Sequence, residues 1–484
     1  MQLFLIKEMK TIFHNIYKPD KRRKIFFIIL GIIIFFLSKD FGFFDDDILF
    51  GSKMGNHLYE NSIFNWKMPN SFDPGHPPFL ATILAVFWKI FGHNLWVSHL
   101  AMLPFVIGFF IQLDKFIIYL LKDKKLHFFA FLLVISDPTL ATCLILVNIE
   151  IITLFFFFLI INSILKTNRK LQFIGLIFLS IISFRSMMLF AGIFIFEILY
   201  LKFFHKKTLK KILTSKHIGF YFIASLPAFF YVGWRLLTKG WLQTHSSSPW
   251  ESLWHFADFD YFIRNCIVLI WRYLDFGRVF IMIFIIISFL IFGKKIMHSK
   301  KHKFLLLLGL SSVIFIIVTI LIVTNTVGIR YFITSYICLN LLAFLILTNF
   351  YKQKKIIFLL LLIGLISGNL WIYPKQISTA WRATLGHIPY HSLRLKAIDY
   401  LNKNAIDISN VGSFFPNYTK LDYIDLEGDK RSFAKFNGKN KFVFYANVYN
   451  LTDEELNILD KNYTELKQFN NFNTTIVIYI LNNK

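Results

Sequence analysis

Three adjacent carboxylates, Asp45-Asp46-Asp47, stand just after the first apolar run of the chain. Charges of one sign at that spacing repel one another, and an apolar surface beside them withholds water, so at least one pKa of the three is raised. Such a cluster can supply a general base or hold a divalent cation. The plainer reading is a solvated acidic turn that ends a helix. Other candidates lie in or beside apolar runs: Glu150, Arg185, and Arg330 at the start of a late run. An ionisable residue in such a place is a functional candidate by default, though a buried and paired acid would serve structure alone. His76, in Asp73-Pro74-Gly75-His76-Pro77-Pro78, reads first as structural, because the Pro-Pro pair fixes its loop. Arg264, Arg272 and Arg278 border a Trp-rich stretch, where an arginine either meets an anionic group or snorkels to lipid headgroups.

The elements that must position these residues are membrane helices. Of 484 residues, 56% are hydrophobic and 17% charged, more apolar surface than a water-soluble chain of this length can hide. The 60 phenylalanines, beside many Ile, Lys and Asn, read as codon bias, so single residues of these types carry little functional weight. Apolar runs near the ~20 residues a bilayer core asks of a helix place spans at 25–38, 95–121, 126–138, 146–165, 171–184, 186–204, 217–238, 277–293, 304–323, 330–349 and 356–373. The first of these reads as a start-transfer helix rather than a cleavable signal. The net charge of +25 gathers in the hinges at 18–24, 122–125, 166–170, 202–216, 294–303 and 352–355. That placement is the positive-inside pattern, and no basic face with stacking aromatics suits a nucleic acid. Cys143, Cys266 and Cys338 form no CxxC pair and suit neither a disulfide framework nor zinc.

The layout expected is therefore an α-helical polytopic membrane protein of about eleven spans. Residues 1–24 form a basic cytoplasmic N-terminus and 25–373 the membrane domain, with an acidic outer loop at 39–78. A small extracytoplasmic α/β domain occupies 374–484. The 79–91 segment is too short to span and reads as a re-entrant or surface helix. The Trp-rich loop at 239–276, with Trp241, Trp250, Trp254 and Trp271, is expected on the membrane surface, partly helical. In the C-terminal domain, helices are expected at 393–402 and 453–468, and strands at 411–415, 441–446 and 474–481.

One helix, then an acidic pair, an amphipathic loop, His-Pro-Pro, an apolar stretch and Phe91-Gly92 resembles the opening of the GT-C superfamily of polyprenyl-phosphate-sugar-dependent glycosyltransferases. The nearest branch holds protein mannosyltransferases and lipid A aminoarabinose transferases. Ser136-Asp137-Pro138, Glu150, Ser183-Phe184-Arg185 and Gly328-Ile329-Arg330-Tyr331 follow in the family's order. This chain has Asp-Asp for the usual Asp-Glu, Glu150 for Asp and Arg185 for Lys, changes that keep charge and leave the substrate open. The resemblance implies an inverting transfer on the outer face of a bacterial inner membrane, from a polyprenyl-phosphate-linked sugar to a lipid, glycan or protein acceptor. It implies Asp46 as general base, with Asp45 and Asp47 beside it. Arg185 and Arg330, backed by Arg264 and Arg272, would bind the donor phosphate, with Glu150 and His76 as further site candidates. A divalent cation is compatible with the cluster, and the cofactor stays open. The competing class is a transporter or lipid flippase of the cell envelope, which would call for internal repeats and charges at mid-membrane; no repeat is found.

Overall fold

The computed structural model describes residues 20–243, 245–246, 253–324, 326–377 and 379–482. Most of the basic N-terminus, and Trp250, lie outside these described residues. Six helices are long and apolar enough to cross a bilayer: Leu95–Leu120, Phe184–Phe204, Ser215–Lys239, Arg278–His298, Lys300–Ile322 and Ile329–Phe350. A seventh candidate is a bent pair, Lys124–Ile135 and Pro138–Ile145, which turn 80° to each other. The remaining four expected spans are also helices. Ile149–Leu165, Arg169–Ile182 and Lys354–Ser367 have 17, 14 and 14 residues, and Asp20–Ser38 carries a Lys-Arg-Arg-Lys run in its first turns. At 1.5 Å per residue the short ones reach across roughly 70–85% of a ~30 Å hydrocarbon core.

The bend has a local cause. Asp137 caps the second helix of the pair by accepting from the Thr139 and Leu140 amides, and Pro138 takes its first turn, where no amide donor is needed. The Asp137 carboxylate also accepts from Nε and Nη2 of Arg278, at 2.9 Å each. Both side chains are buried.

The acidic loop is folded against the membrane domain. A π-helical segment, Ile48–Lys53, leads into Met54–Glu60. Met54, Leu58 and Met68 pack on Ala81 and Ala85 of the short Phe79–Phe91 helix. The loop's return is pinned by Asp73, which lies 3.1 Å from Arg235 and 3.3 Å from Lys239. Gly75 has a φ of +84° and its missing Cβ leaves room for the Leu242 carbonyl, 2.8 Å from where that atom would stand.

The C-terminal domain carries a mixed five-stranded sheet. Its strands are β1 (Val411–Ser413), β2 (Ala434–Lys435), β3 (Phe442–Ala446), β4 (Tyr463–Asn471) and β5 (Thr474–Leu481), in the order β2-β1-β3-β5-β4. Pro389–Lys403 is a helix, as expected, but the 453–468 helix stops at Asn462. The residues after it form β4, antiparallel to β5. This strand is an edge, exposed over most of its length. It therefore lacks the alternation that marks a strand in sequence, and pairing with β5 decides its conformation.

The domains are joined at two neighbouring residues. Phe43 is buried in the core of the membrane helices, and Phe44 in the core of the C-terminal domain, where it stacks on His387 at 4.4 Å. Arg278→Met should cost about 3–5 kcal/mol, because it strands a buried carboxylate. The thermal midpoint in detergent reads this, and the Asp137→Asn/Arg278→Met double variant should lose less than the single one.

Candidate functional site

Asp45, Asp46 and Asp47 follow directly on the Phe43-Phe44 step. Asp45 adopts a left-handed φ of +53°, a conformation aspartate tolerates better than most residues. Asp45 and Asp46 turn to one guanidinium and Asp47 to another. Asp45 Oδ2 meets Arg382 Nε at 2.7 Å, and Asp46 Oδ2 meets Arg382 Nη1 at 2.7 Å. Asp47 turns inward to Arg330, with Nη1 at 3.2 Å from Oδ2. Arg330 also lies 3.4 Å from Glu150, and Glu150 lies 3.4 Å from Arg185.

Each partner is placed by local structure. Glu150 sits in the first turn of Ile149–Leu165, where the helix dipole favours an acid, and Asn148 caps that turn. Arg185 opens the Phe184–Phe204 helix, which Ser183 and Ser186 start with a reciprocal capping box. Its guanidinium lies 4.2 Å from the centre of the Tyr331 ring. That ring folds back over Gly328, where a Cβ would come within 2.8 Å of it. Arg382 belongs to a short turn, Trp381–Ala383, which lies on the Pro138–Ile145 helix; Thr139 Oγ1 donates to the Ala383 carbonyl at 3.4 Å.

Four carboxylates (Asp45, Asp46, Asp47, Glu150) therefore meet three guanidiniums (Arg185, Arg330, Arg382), leaving one negative charge in excess. Burial pushes the Asp45 and Asp47 carboxyls up to about 6, against the pull of Arg382 on the first and Arg330 on the second. Asp46 lines a cavity, open to solvent and with about 670 Å³ of empty space, together with His76, Arg185, Gln243, Trp254 and Tyr331. Its Oδ1 has no partner among the described residues. Arg185 has only Glu150 as a hydrogen-bonded partner among them, so most of its five N–H donors are unused. His76 accepts from the Phe184 amide at 3.2 Å through Nδ1. Burial, with Arg185 and Arg235 nearby, lowers its pKa to about 3, so it stays neutral at pH 7 and holds the Phe184–Arg185 turn in place.

The residues read from sequence are thus brought together at Asp45, Asp46, Asp47, Glu150, His76, Arg185 and Arg330. Arg264 and Arg272 are not brought to the cavity. Arg264 donates to Asn265 and lies over the Tyr261 ring, and Arg272 donates to the Val327 carbonyl and faces Asp275. Arg278 is committed to Asp137. Of the Trp-rich loop, Trp254 helps roof the cavity, and Trp241 lies under Arg235. The residue that sequence reasoning missed is Arg382. Its only local signal is a lone arginine after Trp381, well past the last apolar run. Among the described residues no three His, Cys, Asp or Glu side chains converge as a metal ion requires.

No family model matches the chain, and no curated protein matches its sequence. Its fold does have solved counterparts. It superposes on the crystal structure of ArnT from Cupriavidus metallidurans bound to undecaprenyl phosphate with a TM-score of 0.50, at 9% identity, over 95% of this chain and 98% of that one. The apo structure of the same protein gives a TM-score of 0.48 at 9% identity, over 94% and 97%. The fold is thus that of ArnT along nearly the whole chain.

Asp45 and Asp47 titrate near 6 in the folded chain and near the ordinary 3.8 when unfolded. Between those values the folded state keeps protons that the unfolded state has released. Their contribution to stability is complete below about 3.8 and is lost as pH rises through about 6. The thermal midpoint, measured against that of Asp45→Asn/Asp47→Asn, should fall across this window. Equal pH slopes for the two proteins would show that these carboxyls are not shifted.

Proposed function

We propose that the chain is an inverting membrane glycosyltransferase, taking its sugar from a polyprenyl-phosphate donor. The observation that carries this reading is one cavity bordered by a carboxylate oxygen without a partner, at Asp46, and by a guanidinium with unused donors, at Arg185. Transfer of a glycosyl group needs a base for the acceptor hydroxyl and a cation for the departing phosphate. The ArnT-like fold supports the same reading, as does the undecaprenyl phosphate held by that protein.

In the reaction, Asp46 Oδ1 accepts the proton of the acceptor hydroxyl. The acceptor oxygen attacks the anomeric carbon from the face opposite the phosphate. The bond from that carbon to the phosphate oxygen breaks, and the polyprenyl phosphate leaves with the electron pair. Arg185 takes the charge that develops on the phosphate, a task for which a planar guanidinium is suited. Arg382 fixes the Asp46 carboxylate by its other oxygen. Asp47, Glu150 and Arg330 form the floor that holds Arg185. On this reading the basic hinges and the N-terminus lie in the cytoplasm, and eleven crossings would put the C-terminal domain and the site outside.

Purified protein, given labelled sugar on polyprenyl-phosphate donors, should release it to an acceptor. Asp46→Asn should lower the rate about 10²–10⁴-fold; full activity in that variant would sink the assignment. Topology reporters fused at Lys210 and within the C-terminal domain should report opposite sides of the membrane, and the same side for both would refute the helix count.

A further inference from the structure

A second cavity lies in the C-terminal domain and plays no part in the site above. The sheet register explains its walls. Tyr445 of β3, Val477 of β5 and Gln468 of β4 are cross-strand neighbours, and Tyr479 and Glu465 form the adjoining row. Side chains of such rows share one face of a sheet. The opposite face carries Phe469, which meets the Tyr400 ring of the Pro389–Lys403 helix. Across from the tyrosine face runs the strap that descends from the last membrane helix, contributing Tyr373, Lys375 and Trp381. Between strap and sheet is a cleft with about 960 Å³ of empty space, open to solvent.

The chemistry of these walls is specific. Aromatic residues on both sides offer apolar surface with a polar rim. Amides from Asn450 and Gln468, and the Glu465 carboxylate, stand beside them. Among the described residues, the hydroxyls of Tyr445 and Tyr479, the Asn450 amide and the Glu465 carboxylate have no hydrogen-bond or ion-pair partner. A ligand here must present apolar patches and many hydroxyls together, which a sugar ring does with its C–H face and its rim. The one lysine of the lining, Lys375, is paired with Asp460 at 3.8 Å, and Glu465 stands beside the tyrosines, so the cleft offers nothing to an anion. Trp381, which walls the cleft, is bonded to Arg382, which holds Asp45 and Asp46.

We propose that this cleft is a binding site for a neutral glycan. That the bound glycan is the acceptor rests on the transferase reading; the binding itself does not. The test uses the full-length chain in detergent, without donor, and follows saturation transfer to maltotetraose, chitotetraose and tetragalacturonate. Saturable binding of a neutral tetrasaccharide is expected, weakened tenfold or more in Glu465→Ala/Gln468→Ala. Both of those residues are exposed on an edge strand, so the variant keeps its fold, and Tyr479→Phe provides a second, isosteric check on a hydroxyl. No binding of either neutral sugar, binding of the polyanion alone, or binding unchanged in both variants overturns the proposal. A chain that binds these sugars but transfers none from any polyprenyl-phosphate donor overturns the transferase reading and leaves the cleft standing.

Discussion

Arg382 binds two adjacent carboxylates at once, and the site depends on that contact. Asp45 and Asp46 would otherwise repel each other in a place with little water. The left-handed backbone at Asp45, a conformation that costs about 1–2 kcal/mol in an L-residue, turns both carboxylates to the same guanidinium. Arg382 comes from the C-terminal side of the last membrane helix and the aspartates from just after the first. The bridge therefore closes the two ends of the membrane domain on each other. Phe43 and Phe44, buried in two different cores, secure the same junction through apolar packing. With the domains fixed there, the direction of Asp46 is set by the whole fold rather than by its loop.

Buried acids are paired elsewhere in the chain as well, and their stoichiometry separates them from the site. Asp137 is matched by Arg278, Asp73 by Arg235 and Lys239, and Glu197 by Arg169 with Gln172 and Tyr221. In each, the acid is saturated, and the pair orients a bend, a loop return or a helix contact. Around Asp46 the count is different: one carboxylate more than there are guanidiniums, and an Arg185 with spare donors. Charge left over in a cavity is what a reacting group can use, because the cost of burying it has not been offset within the protein.

Periodicity was informative wherever lipid or a single core dictated the pattern. Each of the eleven apolar runs is helical, since a backbone in hydrocarbon has no other way to satisfy its polar groups, but only six or seven helices are long and apolar enough to cross a bilayer. Lengths were less legible, because Arg169–Ile182 and Lys354–Ser367 end at caps and breaks that hydropathy does not mark. The edge strand β4 was misread as helix because its exposed face carries no alternation. The arginines were only half legible. Arg185 and Arg330 could be named because each opens an apolar helix, where a charge needs a reason. Arg264 and Arg272 have similar neighbours in sequence but spend their donors on nearby backbone and side chains.

The sequence by itself determined that this is a helical membrane protein with an acidic cluster beyond its first helix. It also named most of the charges around that cluster, because burial in lipid constrains composition residue by residue. It could not determine which of the three carboxylates borders the cavity, since Asp45, Asp46 and Asp47 are chemically identical in a string. Only the tertiary structure decided that, by bringing Arg382 from the far end of the chain to Asp45 and Asp46 and Arg330 from a late helix to Asp47, and by leaving Asp46 on the cavity wall. Pairing of that kind depends on distances across the fold, and no local pattern encodes them.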